Sequence, residues 1–120
     1  MPKLSSPRRH PRPTPLDRVF YALSDPTRRG VVQRLGRGAC PTMTLARSSR
    51  MALPSFTQHL DVLRDAGLVR SHKQGRVRTW ELVPGAMDTA RHWLEVQRDL
   101  WTARLDQLDA HLLSLQESRR

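Results

Sequence analysis

The chain has 120 residues, of which 38% are hydrophobic and 27% are charged, and its formal net charge is +10. That length suits one domain with a single core, and no apolar run approaches the roughly 18 residues of a membrane-spanning helix. The one cysteine, Cys40, excludes an internal disulfide framework, so we expect a cytoplasmic protein with no cofactor and no membrane association.

Residues 1–15 contain five of the nine prolines and almost nothing apolar. A segment of this composition cannot bury enough surface to fold, so we expect a disordered, basic, proline-rich arm. Two roles remain open for it. The arm could lie along DNA phosphates, or it could be an unstructured extension.

Two helices are predicted next along the chain. Residues 16–23 show the i, i+3, i+4, i+7 apolar spacing of a helix that buries one face. Asp25 and Pro26 then favour the start of a second helix, because Asp caps helix N-termini and the missing N–H of proline costs nothing there. The buried side of this second helix is predicted to consist of Val31, Val32 and Leu35.

A short third helix and an amphipathic fourth helix follow. Thr42 is the expected N-cap of the third helix, and the fourth is predicted over about residues 53–66, ended by Gly67. The core side of the fourth helix is expected to consist of Leu53, Phe56, Leu60 and Leu63. Its outer side carries small, hydrogen-bonding side chains rather than dense charge. Such a face suits a helix that enters a major groove and reads base edges.

Two strands, residues 68–73 and 77–83, are predicted around a turn at Gly75. The tip of this hairpin carries a basic group that consists of Lys73, Arg76 and Arg78. Solvated charges on an exposed hairpin are common, so this feature alone indicates little. Directly after a helix, a tight turn and a second helix, it favours a wing that contacts DNA.

One long helix is predicted from about residue 87 to residue 118. Apolar residues recur in it every seven positions, as in helices that pair with each other. The dimerisation residues are predicted to be Leu94, Trp101, Leu105, Leu108, Leu112 and Leu115. Arg98 interrupts this pattern, and part of the stripe could instead cover the first helix of the same subunit.

The positive charge belongs to the first two-thirds of the chain. Residues 1–14 carry a net charge of +4, residues 15–86 carry +7 and residues 87–120 carry −1. A basic body suits a polyanionic partner, because Lys and Arg contacts to phosphates release condensed counterions. The alternative is a basic surface that serves only solubility.

Three stretches of this sequence resemble the ArsR family of bacterial winged-helix regulators. They are residues 22–29 (ALSDPTRR), 53–63 (LPSFTQHLDVL) and 65–69 (DAGLV). The resemblance covers about residues 16–83 and implies a mainly α fold with a small β-hairpin. It places a winged helix-turn-helix DNA-binding domain at residues 16–84 and a C-terminal dimerisation helix at residues 85–120, within the same compact unit.

The resemblance also implies a function. The chain is expected to be a sequence-specific transcriptional regulator and not an enzyme, most simply a homodimeric repressor on a palindromic operator of double-stranded DNA in the bacterial nucleoid. Helix 53–66 would enter the major groove and wing 73–78 the minor groove, with half-sites about 34 Å apart. The inducer is unknown.

The DNA-binding residues that the resemblance implies are Arg50, Pro54, Ser55, Thr57, Gln58, His59, Arg64, Lys73, Arg76 and Arg78. Gln58 can pair with adenine, whereas Ser55 and Thr57 can bond a base or a phosphate. His59 is expected to bond a phosphate or the neighbouring backbone. Gln58 could also be an ordinary solvated residue.

A metal- or thiol-responsive sensor and a module that binds only proteins are the alternatives. Family members that sense soft metals use two cysteines, at positions that correspond here to Pro41 and Met43, whereas Cys40 is one residue away. The sequence Asp109-Ala110-His111 matches only the first half of the zinc motif of the family. Asp88 and His92 could share one helix face but have no evident third ligand. We therefore expect no metal site.

Overall fold

The structure is a computed structural model and describes residues 11–119. Over this range the elements in chain order are α1 (Pro15–Leu23), α2 (Pro26–Leu35), β1 (Cys40–Pro41), α3 (Thr42–Arg47), α4 (Leu53–Asp65), β2 (Val69–Gln74), β3 (Val77–Leu82) and α5 (Asp88–Ser118). The predicted fold class, mainly helical with a small β-hairpin and a long last helix, is confirmed.

The described part of the chain divides into two compact units, with the boundary between Ala86 and Met87. This division differs from the prediction that the last helix belongs to the same unit as the DNA-binding domain. Most of the predicted arm, residues 1–10, lies outside the described residues. Pro15, which was placed in the arm, is the first residue of α1.

Local side-chain caps define the first two helices. Thr14 and Asp17 form a reciprocal capping box, in which the Asp17 N–H donates to Thr14 Oγ1 (3.1 Å) and the Thr14 N–H donates to Asp17 Oδ2 (2.8 Å). Asp25 caps α2 by accepting a hydrogen bond from the Arg28 N–H at 3.1 Å. The predicted role of Asp25 is therefore confirmed.

The predicted role of Thr42 is wrong. The N-cap of α3 is Pro41, and no side chain caps this helix. The Thr42 hydroxyl instead donates to the Arg78 carbonyl (3.2 Å) and accepts from the Trp80 indole Nε1–H (2.8 Å). These two hydrogen bonds join α3 to strand β3, and the hydroxyl supplies the acceptor for the Trp80 N–H.

We expect Thr42→Val to lower the free energy of unfolding by about 1–3 kcal/mol, because valine keeps the shape but leaves the indole N–H of the buried Trp80 without its acceptor. Urea unfolding followed by circular dichroism measures this loss. Thr44→Val, at an exposed position of α3, is the matched control and should change little. Equal effects of the two substitutions would contradict the assigned role.

The sheet has three antiparallel strands in the order β1-β3-β2, with Cys40 opposite Trp80 and Gln74 opposite Val77. The two hairpin strands agree with the predicted ones to within a residue at each end. Gly75 makes the turn with φ of 63°, a conformation that glycine adopts without strain. The third strand, β1, was not predicted because two residues are too few to show a period.

The core of the first unit lies between α1, α2, α3, α4 and the sheet. Its buried residues are Val19, Ala22, Arg28, Val31, Leu35, Cys40, Leu45, Phe56, Leu60, Leu63, Leu68, Val69 and Trp80. Leu53, which was predicted to belong to this core, is 43% exposed. Leu53 is the first residue of α4, a turn before the buried Phe56, and its side chain therefore lies at the edge of the core.

Candidate nucleic-acid interface

The outer face of α4 is polar and accessible. Pro54, Ser55 and Gln58 are exposed, and no hydrogen bond to the Gln58 side chain occurs within residues 11–119. Thr57 is half-buried, and its hydroxyl donates to the Pro54 carbonyl at 2.9 Å. The Gln58 amide is therefore free to pair with a ligand, whereas the Thr57 hydroxyl offers only its oxygen as an acceptor.

The N-terminus of α4 has no side-chain cap. Ala52 occupies the N-cap position, and its methyl side chain cannot accept a hydrogen bond from the first turn. Pro54 lies in the first turn, where its fixed φ suits the helix and its missing N–H leaves no donor unsatisfied. The Leu53 and Ser55 N–H groups have no side-chain acceptor at this positive end of the helix dipole. Such groups can bind an anion.

His59 points away from this outer face. Its Nδ1 lies 3.1 Å from Nη1 of Arg28 and 3.8 Å from Oδ2 of Asp25, and one-fifth of the side chain is exposed. The expectation that His59 bonds a phosphate or the neighbouring backbone stays a prediction, and within residues 11–119 the hydrogen-bond partner of the His59 ring is Arg28. That partner belongs to α2 and is distant in sequence.

The Asp25 carboxylate caps α2 and also lies beside this histidine. Desolvation raises its pKa, but the hydrogen bond from the Arg28 N–H and the positive charge of Arg28 help to outweigh that effect and hold the pKa below its ordinary value of 3.8. A carboxyl whose pKa is lower in the folded state stabilises the fold at pH values above its unfolded pKa. That stability is lost as the pH falls through the folded pKa.

We therefore expect the melting temperature to fall as the pH drops below about 3.8, and we expect Asp25→Asn to flatten part of this dependence. Asparagine keeps the N-cap acceptor but does not titrate. Thermal melts between pH 2 and 6 measure the effect. Asp109→Asn, at an exposed position of α5, is the control. Identical pH profiles for the wild type and Asp25→Asn would contradict the prediction.

The two predicted arginines beside α4 differ in their surroundings. Arg50 is exposed, and no ion pair or hydrogen bond to its side chain is found in the part of the chain that the structure describes. Arg64 pairs with Asp61 at 3.3 Å and with Asp65 at 3.8 Å. Arg50 is therefore the better placed of the two for a phosphate, because nearby carboxylates offset the charge of Arg64.

The tip of the β2–β3 hairpin is basic. Lys73 and Arg76 are exposed and have no side-chain partner among the described residues. Arg78 is engaged within the hairpin, since its Nη1 donates to Ser71 Oγ at 2.8 Å. Of the three predicted wing residues, two are therefore unpaired, and the third is held along the strand.

The long helix α5 carries an exposed apolar stripe. The six predicted dimerisation residues, Leu94, Trp101, Leu105, Leu108, Leu112 and Leu115, are 47–72% exposed. The sequence interpretation omitted Trp93, Leu100 and Leu113, which are also exposed and lie off the heptad positions. An apolar surface this continuous marks an interaction site more often than a solvated one.

Within residues 11–119, no three or more His, Cys, Asp or Glu side chains gather as metal ligands. Cys40 is a free, fully buried thiol. None of the described helices has the length and apolar character needed to cross a membrane.

Comparison with known proteins agrees with this geometry. Residues 23–72 match the model of a helix-turn-helix domain. The chain is 37% identical over 89 residues to the HTH-type transcriptional regulator Rv2034 of Mycobacterium tuberculosis, covering 74% of this chain and 80% of that protein. It is 28% identical to the transcriptional repressor SdpR of Bacillus subtilis, covering 66% and 88% of the two chains.

Two solved structures are also similar. The crystal structure of an ArsR family transcriptional regulator has a TM-score of 0.71 and 45% identity, covering 74% of this chain and 98% of that one. A homodimeric winged helix-turn-helix DNA-binding domain from Mycobacterium bovis has a TM-score of 0.57 and 21% identity, covering 71% and 79%. The second similarity concerns the fold alone.

Proposed function

Because the chain belongs to the ArsR family of helix-turn-helix transcriptional regulators, we propose that it is a homodimeric repressor that reads a palindromic operator. Family membership confirms the resemblance inferred from the sequence. It also confirms that the chain is a regulator and not an enzyme, since its relatives are transcriptional regulators.

The observation that carries this proposal is the exposed polar face of α4. Ser55 and Gln58 lie on this face, and the Gln58 amide has no partner among residues 11–119. A glutamine side chain can both donate to and accept from the major-groove edge of adenine, so Gln58 is the residue that we expect to read a base. The uncapped N–H groups at the start of α4 and the nearby Arg50 would bind the flanking phosphates.

The wing supports a second DNA contact. Lys73 and Arg76 place two unpaired positive charges at the hairpin tip. The minor groove is lined by phosphates, and its negative potential attracts inserted basic side chains. These contacts would add affinity and fix the register of α4 without reading much sequence themselves.

The apolar stripe of α5 supports the homodimer. Exposed leucines that recur at heptad positions favour pairing with the same helix of a second copy, because pairing removes their side chains from water. The similar domain from Mycobacterium bovis is itself homodimeric. A two-fold dimer would present two copies of α4 to half-sites about 34 Å apart, and the operator would therefore be palindromic.

Repression is the simplest regulatory outcome. A dimer that covers two adjacent major grooves blocks the access of polymerase when its operator overlaps a promoter. The similar protein SdpR is a transcriptional repressor. The chain would act on DNA in the cytoplasm, at the bacterial nucleoid, and without a metal cofactor.

DNA selection tests the proposal. The purified full chain is used to select duplexes from a randomised library, and its affinity for the selected duplex is compared with that for a scrambled duplex by fluorescence anisotropy. We expect a palindromic consensus, at least about a 10³-fold preference, and an affinity that falls steeply with salt. A module that binds only proteins would give no consensus and equal affinities, which would overturn the proposal.

A further inference from the structure

We propose that Arg28 is the positioning residue of the DNA-reading helix α4, and that it acts through His59. This inference rests on the proposed function, because positioning matters only if α4 reads DNA. Arg28 belongs to the segment ALSDPTRR, in which Asp25 and Pro26 begin α2. It reaches no base or phosphate in this scheme, since it is a buried residue of α2, only 7% exposed.

The Arg28 guanidinium is fixed by the end of α1. Its Nε donates to the Ala22 carbonyl at 2.8 Å, and its Nη2 donates to the Tyr21 carbonyl at 2.9 Å. The guanidinium carbon also lies 4.9 Å from the centre of the Tyr21 ring. Three contacts to one helix end hold a planar, rigid donor group in a single orientation.

The carbonyls that hold Arg28 lie at the C-terminal end of α1, where the Tyr21 carbonyl also accepts from the Ser24 N–H at 3.1 Å and from the Ser24 hydroxyl at 2.6 Å. The last carbonyls of a helix have no partner within it and carry the negative end of its dipole. The last turn of α1 contains no basic residue of its own. Arg28 therefore caps α1 from the neighbouring helix, and this cap offsets much of the cost of burying a positive charge.

The third nitrogen of the guanidinium, Nη1, contacts α4. Arg28 Nη1 lies 3.1 Å from His59 Nδ1, and arginine can only donate. His59 must therefore accept at Nδ1 and carry its proton on Nε2. The longer contact of 3.8 Å between Nδ1 and Asp25 is then a proximity and not a hydrogen bond.

The position of His59 makes this bond relevant to DNA reading. His59 follows Gln58 directly in α4, so any rotation of the helix that moves one residue moves the other. A bidentate base contact tolerates displacements of only about 0.5 Å. The chain of contacts from α1 through Arg28 to His59 thus sets the rotation of α4 at the residue expected to read a base.

The test measures how well variants discriminate between the selected and the scrambled duplex. Arg28→Lys keeps the charge but cannot bond Ala22, Tyr21 and His59 at once, and we expect it to reduce the preference for the selected duplex roughly tenfold. Binding to the scrambled duplex should stay near the wild-type value. Thermal melts establish that each variant is folded at the assay temperature.

Arg29→Lys is the matched control. Arg29 stands beside Arg28 and donates to the Leu23 carbonyl at 2.8 Å, but it makes no hydrogen bond or ion pair with α4. We expect Arg29→Lys to keep the wild-type preference. If it reduced the preference as much as Arg28→Lys does, capping of α1 in general would explain the loss and the proposed role of Arg28 would be wrong.

His59 supplies the readout that a merely structural role would not move. We expect His59→Ala to lower the preference for the selected duplex, and His59→Asn to restore most of it, because the asparagine oxygen can accept from Arg28. Once Arg28→Lys is present, His59→Ala should add little further loss. Additive losses would mean that His59 acts on DNA independently of Arg28, and this result would overturn the inference.

The remaining outcomes separate the two proposals. If the wild type prefers the selected duplex and the Arg28 and His59 variants keep that preference, the positioning role is wrong and the proposed function stands. If the wild type itself does not discriminate between the duplexes, the proposed function fails, and the positioning role fails with it.

Discussion

Replacing both Leu105 and Leu112 with glutamate is expected to convert the proposed dimer into monomers and to abolish tight binding to the selected duplex. The two leucines lie seven residues apart in α5 and are 61% and 50% exposed. In a dimer their side chains would be buried against the partner helix. Four buried, unpaired carboxylates per dimer would cost far more than the apolar contacts that they replace.

The loss of DNA affinity should exceed that of any single contact. A dimer binds its second half-site as an intramolecular step, and this advantage is worth roughly 10²- to 10⁴-fold in affinity. A monomer keeps every contact of its own α4 and wing but loses that factor. Weak binding to single half-sites, with the same base preferences, should therefore remain.

Ala103→Glu together with Ala110→Glu is the matched control. These residues are also exposed and seven apart, but each lies two positions before a leucine of the stripe and two positions after another stripe residue, about 160–200° around the helix from both. The control adds the same charge to another side of α5 and should leave the dimer intact. Light scattering gives the mass in solution. A dimer of the leucine variant would show that the stripe is not the dimer interface.

Much of the fold could be predicted because its signals are local. The cap at Asp25 and the turn at Gly75 each depend on a residue whose own chemistry dictates the conformation. The heptad of α5 and the apolar period of α4 are likewise visible within one segment. These features fix the element order and the outer face of α4 without any long-range contact.

The parts that the sequence did not predict depend on partners distant in the chain. Strand β1 exists because Cys40 pairs with Trp80, and the Thr42 hydroxyl is drawn to the same tryptophan. Neither contact produces a periodic pattern in the sequence from which it could have been predicted. A buried arginine such as Arg28 cannot be inferred from hydropathy at all, because arginine is rarely buried unless partners satisfy it.

Within the candidate site, the same difference between local and long-range contacts separates the features that the sequence predicts from those that it does not. Exposure of Ser55 and Gln58 follows from the helical period, and the structure agrees. The ion pair of Arg64 with Asp61 is an i,i+3 pair that the helical spacing could have shown, whereas the contact of His59 with Arg28 joins residues that are distant in the chain. The base-reading assignment of Gln58 therefore remains a prediction that mutation can test.

We expect Gln58→Ala to weaken binding to the selected duplex by about 1–3 kcal/mol, roughly 5- to 150-fold, and to leave binding to a scrambled duplex nearly unchanged. Alanine removes the amide that pairs with adenine, while its high helix propensity preserves α4. Anisotropy titrations on both duplexes at one fixed salt concentration measure the two affinities. Gln33→Ala, at an exposed glutamine of α2, is the control and should change neither.

The pattern of losses distinguishes three roles for this side chain. A base contact loses affinity only on the selected duplex, and a repeated selection with Gln58→Ala should relax the consensus at one position per half-site. A phosphate contact loses affinity equally on both duplexes, because phosphates carry no sequence. A solvated residue loses nothing on either. Either of the last two results would leave α4 without its expected base reader and would move the search for specificity to Ser55 and Thr57.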